Sequence, residues 1–352
     1  VLPIKSISDF ISVIIYYLNM FRKILYIQIL IMAINIFNLS VLYADEDAGS
    51  FNEWIVHIKE LAREKGISDE TLASAFKNIE RNERVIELDR KQPEFTLTLE
   101  EYLNNTVTKG RMNKGKKYNE EYNSLLTQIS KKFDVQPRFI LALWGIETSF
   151  GKFTGSFNVI SSLSTLSHDL RRRDFFTNEL INALTIIDQG HIEAHDMLGS
   201  WAGAMGQNQF MPSSFLNYAT DFNNDFKKDI WNTQSDVFAS TANYLSSSGW
   251  NSNQTWGREV KVSKIIDPDI ITTSAKSIDI SRKIHEWSEL GVINLDGSKL
   301  PEVNIDAYLV YPEGDNGRKF LVYDNFKTIM KWNRSLFFGI SVGKLSDMIE
   351  YH

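Results

Sequence analysis

The sequence contains no cysteine, and that one absence removes several chemistries. Disulfide cross-links, thiolate nucleophiles, Cys-ligated zinc and iron–sulfur clusters are all excluded. There is no excess of basic residues either: 38 Lys and Arg stand against 44 Asp and Glu, a formal charge of −6. Phosphate binding needs clustered cations, so no nucleic-acid partner is expected. Internal repeats and low-complexity linkers are also missing. What the chain does have is length and rings. Its 352 residues suffice for two or three packed units. It carries 8 Trp, 13 Tyr and 22 Phe. Most such rings belong in a core, but the supply also suits a cleft in which sugar faces stack.

Residues 1–44 read as a targeting segment rather than as fold. Met20-Phe21-Arg22-Lys23 precedes an apolar stretch over residues 24–37, broken only by Gln28 and Asn35, and Ala44 stands before Asp45. A positive start, a short apolar middle and a small residue at the cut are the pattern of a secretory signal peptide. Translation is expected to begin at Met20, with residues 1–19 an over-extended gene start. The apolar stretch falls short of the ~20 residues a span needs, which sets the signal above a transmembrane anchor. No cysteine follows it, so the chain is not a lipoprotein. The mature protein is expected to start near Asp45 and to be periplasmic.

From Phe51 to about Tyr122 apolar residues recur at three- and four-residue spacing: Trp54, Ile55, Ile58 and Leu61, then Leu72, Ala75, Phe76 and Ile79. That period predicts amphipathic helices, parted at Gly66-Ile67-Ser68 with Ser68 as the N-cap of the second. Lys114, Lys116, Lys117, Lys131 and Lys132 read as solvated helix faces. Past residue 258 the helical period fades. Val260-Lys261-Val262 and residues 307–311 read as strands, with turns at Asp296-Gly297 and Glu313-Gly314. Helix returns at the end, with Asp324 and Ser335 as N-caps. A mainly α (α+β) chain is expected: a helical N-terminal part over 45–132, a core over 133–257, a small β-rich insert over 258–312, and C-terminal helices over 313–352 that return to the core.

Unusual residues concentrate in the core segment. Residues 137–151 read as one nearly apolar helix, with Pro137 in the first turn, where a missing N–H costs nothing, and Gly151 just past the end. Between them only Arg138 and Glu147 are charged. Glu147 therefore stands at a helix C-terminus beside Trp144 and Phe150, where burial and the negative end of the helix dipole both raise a carboxyl pKa. A carboxylic acid kept protonated near neutral pH can protonate a glycosidic oxygen. The position equally suits a helix-end glutamate that reaches water, and these residues alone leave the two readings level.

A second segment, residues 199–214, packs three glycines with hydroxyls, amides and rings. Glycines let backbone approach a ligand closely, and Gln207, Asn208 and Gln209 can bond sugar hydroxyls and acetamido groups as donors and acceptors. A tight buried turn would have much the same composition. A third piece, residues 235–245, reads as a capped helix carrying Asn243-Tyr244 and says little alone.

Together these pieces resemble the lytic murein transglycosylase B family, of the lysozyme-like superfamily. The resemblance rests on Ala142-Leu143-Trp144-Gly145-Ile146-Glu147-Thr148-Ser149-Phe150-Gly151, on Leu163-Ser164-Thr165-Leu166 with Arg171-Arg172-Arg173 and Phe176, and on Gly203-Ala204-Met205-Gly206-Gln207 through Met211-Pro212-Ser213-Ser214. Ala242-Asn243-Tyr244 adds to it, and Gln92-Pro93-Glu94-Phe95, Asn325-Phe326 and Trp332-Asn333-Arg334-Ser335 match more loosely. It implies a lysozyme-like helical catalytic core with a helical N-terminal part and a small β-rich insert. It also implies an enzyme that cleaves the β-1,4 bond between N-acetylmuramic acid and N-acetylglucosamine in peptidoglycan without water.

In that scheme Glu147 donates its proton to the leaving oxygen, and the substrate's acetamido group supports the cation at the anomeric carbon. Glu147 then takes the proton of the muramyl 6-hydroxyl, which closes a 1,6-anhydro ring. An ordinary glycosidase would need a second carboxylate. Asp169 and Asp174 are nearest in sequence, but their neighbouring arginines suggest ion pairs. By position Ser200, Gln209 and Tyr244 match groove-lining residues, with Gln207, Asn243 and Trp332 behind them. Trp332 stands where the family usually has Tyr, which keeps a stacking ring and removes a hydroxyl. The resemblance implies glycan strands as partner, with cell-wall enzyme complexes as a further class, and a monomer is expected. A hydrolytic muramidase and a non-catalytic peptidoglycan-binding protein are the competing readings.

No cofactor is required by this scheme. Asp221, Asn223, Asp225 and Lys227 begin an EF-hand-like loop, but Phe226 replaces the turn glycine and Asn232 the closing glutamate. Some members of the family bind a calcium or sodium ion here, and Asp236 is the residue that would close the site. The two adjacent lysines and the missing glycine argue for weak binding or none. His191 and His195 stand four apart, yet the zinc-protease motif puts its glutamate directly after the first histidine, and here Ile192 stands in that place. A loop or solvated helix end is the reading adopted for them.

Overall fold

A computed structural model describes residues 49–91, 97–276 and 278–350. The expected signal segment and the match at Gln92-Pro93-Glu94-Phe95 lie outside the described residues. The chain divides into two compact units, Val1–Trp54 and Ile55–His352. Residues 49–54 are described in the first, and the second carries the fold. Among the described residues no helix is long and apolar enough to cross a membrane.

The helices are, in order, α1 (Phe51–Glu64), α2 (Asp69–Ala75), α3 (Glu83–Arg90), α4 (Leu99–Thr106), α5 (Lys109–Glu121), α6 (Asn123–Phe133) and α7 (Pro137–Thr148). Then come α8 (Val159–His168), α9 (Arg173–Asp188), α10 (Pro212–Tyr218), α11 (Gln234–Ser247), α12 (Ile284–Glu289), α13 (Asp324–Trp332) and α14 (Leu336–Glu350). The mainly α expectation is met. Ser68 is the N-cap of α2, its hydroxyl oxygen accepting the Thr71 N–H. The same hydroxyl donates to Asp188 at 2.5 Å, which ties α2 to the end of α9. Together with the Ser68 N–H and the Thr71 hydroxyl, that bond holds the Asp188 pKa below its ordinary value. Ile79, which the apolar spacing assigns to α2, falls in the following loop, where Asn78 turns left-handed at φ 53°.

α7 is the central element. From Phe139 to Leu143 its side chains have no exposed surface, and α5, α6, α11 and α14 pack around it. α8 and α9 pair with each other, and α10 lies between α9 and α11. The middle of this nearly all-apolar helix is thus buried on every side, whereas a helix at the surface would keep one polar face.

Strands β1 (Phe157–Asn158) and β2 (Leu198–Gly199) form a two-residue antiparallel ladder. The larger sheet holds β3 (Gly257–Val262), β4 (Arg282–Lys283), β5 (Val292–Asn294), β6 (Asp306–Val310) and β7 (Lys319–Val322) in the order β4-β6-β7-β3-β5. β3 and β6 fall where strands are predicted. β7 is not legible in the sequence because Phe320, Leu321 and Val322 are all fully buried, so its pattern does not alternate. Its register sets Gly257 and Tyr308 opposite Val322 from its two sides. One face of the sheet closes over Trp287, Val292, Leu309 and Leu321. The other meets α14 through Trp256, whose indole donates to Asp347 at 2.9 Å. Glu259 on β3 accepts from Lys344 on α14 at 2.8 Å, which fastens the same seam. β7 runs through Tyr323 straight into α13, and this path delivers Trp332 back to α7.

Candidate active site

Gly151 is not the cap of α7. The helix stops at Thr148, and Ser149, Phe150 and Gly151 follow in left-handed conformation at φ 53°, 64° and 76°. This reversal brings the Phe150 N–H to the Trp144 carbonyl at 3.1 Å. It also folds the Phe150 ring under Gly145, where a Cβ would sit 2.8 Å from the ring. Only glycine fits there. Two consecutive non-glycine residues at positive φ cost energy, and such strain gathers at functional sites.

Glu147 lies in the last turn before this reversal. The residue is half-buried. Desolvation by its surroundings pushes the carboxyl pKa up to about 7. Its one hydrogen-bond partner among the described residues is Trp332, whose indole N–H donates to Oε1 at 2.8 Å and pulls the pKa the other way. The Trp332 ring packs against both Tyr244 and Phe210, with centroids 4.7 and 5.1 Å away, and those two rings meet each other at 5.8 Å. Tyr244 in turn meets Tyr218 edge-on at 4.6 Å. Burial, and secondarily Tyr218, pushes the Tyr244 phenol up to about 12, so it stays protonated. Glu147, Trp332 and Tyr244 therefore come together, with Phe210 as the link to the glycine-rich segment.

That segment is held from behind. The Gln207 amide accepts from the Trp144 indole at 2.8 Å and donates to the Trp231 carbonyl at 2.8 Å. Thr148 Oγ1 donates to the Gln207 carbonyl at 3.1 Å, which locks the helix end to the loop. Asn208 is buried and donates to the Val237 carbonyl and the Thr241 hydroxyl on α11. Gln209 takes φ 52° and donates to the Thr154 and Gly206 carbonyls, both at 3.0 Å. Ser200 Oγ accepts the N–H groups of Ala202 and Ala204. Asn243 donates to the Tyr218 carbonyl at 2.8 Å and so fixes the end of α10. Gln207 and Asn243 are thus engaged within the protein, whereas Tyr244 has no hydrogen-bond partner for its hydroxyl among the described residues.

A family model described as the transglycosylase SLT domain matches residues 50–347. The chain belongs to this transglycosylase family. Over 150 residues it is 33% identical to the membrane-bound lytic murein transglycosylase B of Escherichia coli (strain K12), a stretch taking in 42% of this chain and 41% of that protein. The match therefore spans less than half of that relative's length. Among solved structures it is similar to SltB3 from Pseudomonas aeruginosa in complex with NAG-anhNAM-pentapeptide, at 36% identity and a TM-score of 0.82, covering 86% of this chain and 80% of that one. It is also similar to SltB1 from the same organism, at 27% identity and a TM-score of 0.74, covering 84% and 98%. The resemblance carried by the motifs, and the α+β fold it implied, are met.

In the loop after α10 the oxygens expected to hold an ion accept hydrogen bonds from the loop itself. The Asp221 carboxylate accepts the N–H groups of Asp225 and Phe226. Asn223 accepts the Asp225 N–H, and Asp225 accepts the Lys227 N–H and the Asn223 amide. Asp236, fully buried, accepts the N–H groups of Phe222 and Asp229. Burial raises the Asp236 pKa, and these hydrogen bonds oppose the rise. These oxygens serve the loop's own backbone, and among the described residues no group of three or more His, Asp or Glu converges as a metal site. His191 and His195 lie in irregular chain, not on a helix. His191 Nδ1 accepts the Lys228 N–H at 3.3 Å. Asp169 pairs with Arg90 at 3.1 Å rather than with the arginines beside it, of which Arg171 and Arg172 pair with Asp89. Asp174 forms no ion pair among the described residues.

Two residues that matter here left no mark in the sequence pattern. Phe210 reads as a buried ring until its contact with Trp332 is seen. Glu179 lies in the middle of α9, 4% exposed, and accepts the Ser213 N–H at 2.8 Å and its hydroxyl at 2.6 Å. It caps α10, whose own N-cap, Met211, has no side-chain acceptor to offer. Glu179→Ala would strand two part-buried donors of Ser213. It is expected to cost about 2–3 kcal/mol in urea unfolding, more than an ordinary surface glutamate would.

Proposed function

We propose that this transglycosylase cleaves the β-1,4 bond between N-acetylmuramic acid and N-acetylglucosamine of peptidoglycan without water, leaving 1,6-anhydromuramyl ends. The observation that carries the reading is Glu147: a desolvated carboxyl at the rim of an aromatic wall, with its pKa up to about 7 and an N–H donor as its hydrogen-bond partner. Burial, not a neighbouring carboxylate, raises that pKa, so the group needs no ionised companion to act as an acid. Glu147 protonates the leaving oxygen as the anomeric C–O bond breaks. The carboxylate so formed accepts the 6-hydroxyl proton as that oxygen closes on the anomeric carbon. One residue serves both steps, and the proton inventory returns to its start.

The complexes of SltB3 with NAG-anhNAM-pentapeptide and with NAG-NAM-pentapeptide support this substrate class and product. Ser200, Gln209, Tyr244 and Trp332 are proposed to line the sugar groove around the acid. The chain is proposed to work in the periplasm after export, as a monomer on glycan strands and alongside other cell-wall enzymes. The hydrolytic reading predicts a second ionised carboxylate and hence a bell-shaped profile.

The test is the pH dependence of kcat/KM on purified glycan strands. Because the acid must be protonated in the free enzyme, activity should be level below about 7. Above that it should fall about tenfold per pH unit, with no carboxylate limb on the acid side. A second limb from a group titrating near 4–5 would favour the two-carboxylate hydrolase.

A further inference from the structure

Trp332 meets Glu147 with a group that can only give a hydrogen bond. An indole N–H donates and never accepts. We propose that Trp332 is a positioning residue that keeps Glu147 Oε1 an acceptor throughout the cycle, so that both proton transfers pass through Oε2. The proposal rests on the acid–base reading given above.

The geometry argues for it in three ways. The Nε1···Oε1 distance is 2.8 Å, a well-made bond. The indole is also held in place: it is the last residue of α13, and its ring closes a three-ring cluster with Tyr244 and Phe210. It cannot swing aside without unpacking that cluster. Finally, a neutral carboxyl has one carbonyl oxygen, the better acceptor, and one hydroxyl oxygen. A fixed donor at Oε1 therefore favours the tautomer with the proton on Oε2. When Glu147 ionises the bond persists and strengthens, since its acceptor is then charged.

Among the described residues no other partner competes for the carboxyl. Tyr218 and Tyr244 on α10 and α11, Lys331 and Arg334 beside Trp332 in the chain, and Lys116 and Lys344 on the helices flanking α7 exert no charge effect on it. None is hydrogen-bonded to Glu147. Lys331 donates to the Ser248 carbonyl and Lys344 to Glu259. In the first step the proton leaves Oε2 for the glycosidic oxygen, which takes the electron pair of the breaking C–O bond. In the second the 6-hydroxyl proton returns to Oε2 as its oxygen bonds to the anomeric carbon. Through both steps the Trp332 N–H stays on Oε1.

Trp332→Phe keeps a ring in the cluster and removes the donor. On glycan strands it should leave KM within about twofold of the parent and lower kcat about tenfold to a hundredfold, the usual effect of a loosened reacting group. The alkaline fall in kcat/KM should move to higher pH by about half to one unit, since a donor that favours the carboxylate is gone. In the parent the nitrogen-15 resonance of the Trp332 indole should titrate with Glu147, and in Glu147→Gln it should not. Parent kcat and pH profile in Trp332→Phe, with an indole resonance flat across the titration, overturns the role of Trp332 and leaves the cleavage reading standing. A raised KM and a lower Tm with the pH profile unmoved overturns it too, as the mark of a packing residue. A parent protein that releases no fragments sinks the cleavage reading itself, and the proton route with it.

Discussion

Glu147→Gln is expected to abolish glycan cleavage and to yield a protein more stable than its parent above neutral pH. The first effect follows from the loss of the only group that gives and takes protons in the scheme. General acid–base groups contribute about 10²–10⁴-fold each, and here a single residue supplies both roles, so activity should drop to the detection limit. The second effect follows from linkage. The carboxyl titrates at about 7 in the folded protein against an ordinary 4.5, so the folded state holds this proton more tightly than the unfolded chain. The cost of burying the carboxylate is absent below pH 4.5, grows as the pH rises, and is complete above 7. At pH 8 the whole shift would amount to about 3 kcal/mol, and solvent screening at this half-buried residue brings it to about 2–3 kcal/mol. A glutamine carries no such penalty and still offers Oε1 to the Trp332 N–H. Urea unfolding at pH 8 should show the mutant more stable, and at pH 4 the two should converge. Equal stability at both pH values would mean that Glu147 is solvated and unperturbed.

The second large effect is expected at Gly155, well outside the acid itself. Its φ is 93°, and an added Cβ would fall 2.0 Å from the Gly199 carbonyl oxygen and 2.7 Å from the Ser200 nitrogen. Both atoms are backbone, so neither can turn away. Gly155→Ala must prise the loop after α7 from the segment that carries Ser200. A loss of about 2–4 kcal/mol in folding stability is expected, with a Tm lower by about 5 °C. Any folded fraction should also lose kcat/KM, because a displacement of about 1 Å in a groove wall is enough to spoil alignment. Gly190→Ala is the control: its φ of 76° is also left-handed, but nothing lies within 4 Å of the added carbon. It should cost about 1 kcal/mol and leave activity intact. Similar effects from both substitutions would show that backbone strain, not the contact with Ser200, is what matters at Gly155.

Much of this site is legible in the sequence because it is local. Pro137, the apolar run behind it and the single carboxylate at its end define α7 and Glu147 without any long-range information. Ser68 as a cap, and β3 and β6 as strands, follow from equally short patterns. What is not legible depends on partners far along the chain. The Trp332–Glu147 bond joins residues 185 apart, and the Glu179–Ser213 cap joins residues 34 apart. The three amides 207–209 look alike in sequence, yet Gln207 and Asn208 turn into the protein while Gln209 braces the Thr154 loop. The Asp221 loop has oxygens at the spacing of an ion site, but spacing does not tell which hydrogen bonds they accept, and Asp221 takes the N–H groups of Asp225 and Phe226. β7 hides for the opposite reason. Burial on both faces erases the alternation that marks a strand.

The central claim is cleavage without water, and the masses of the products test it most directly. Soluble fragments released from purified peptidoglycan should each be one water lighter than the corresponding hydrolysis products, and none should appear with Glu147→Gln. Fragments bearing hydrated reducing ends would contradict the account and assign this groove to a hydrolase with a second carboxylate.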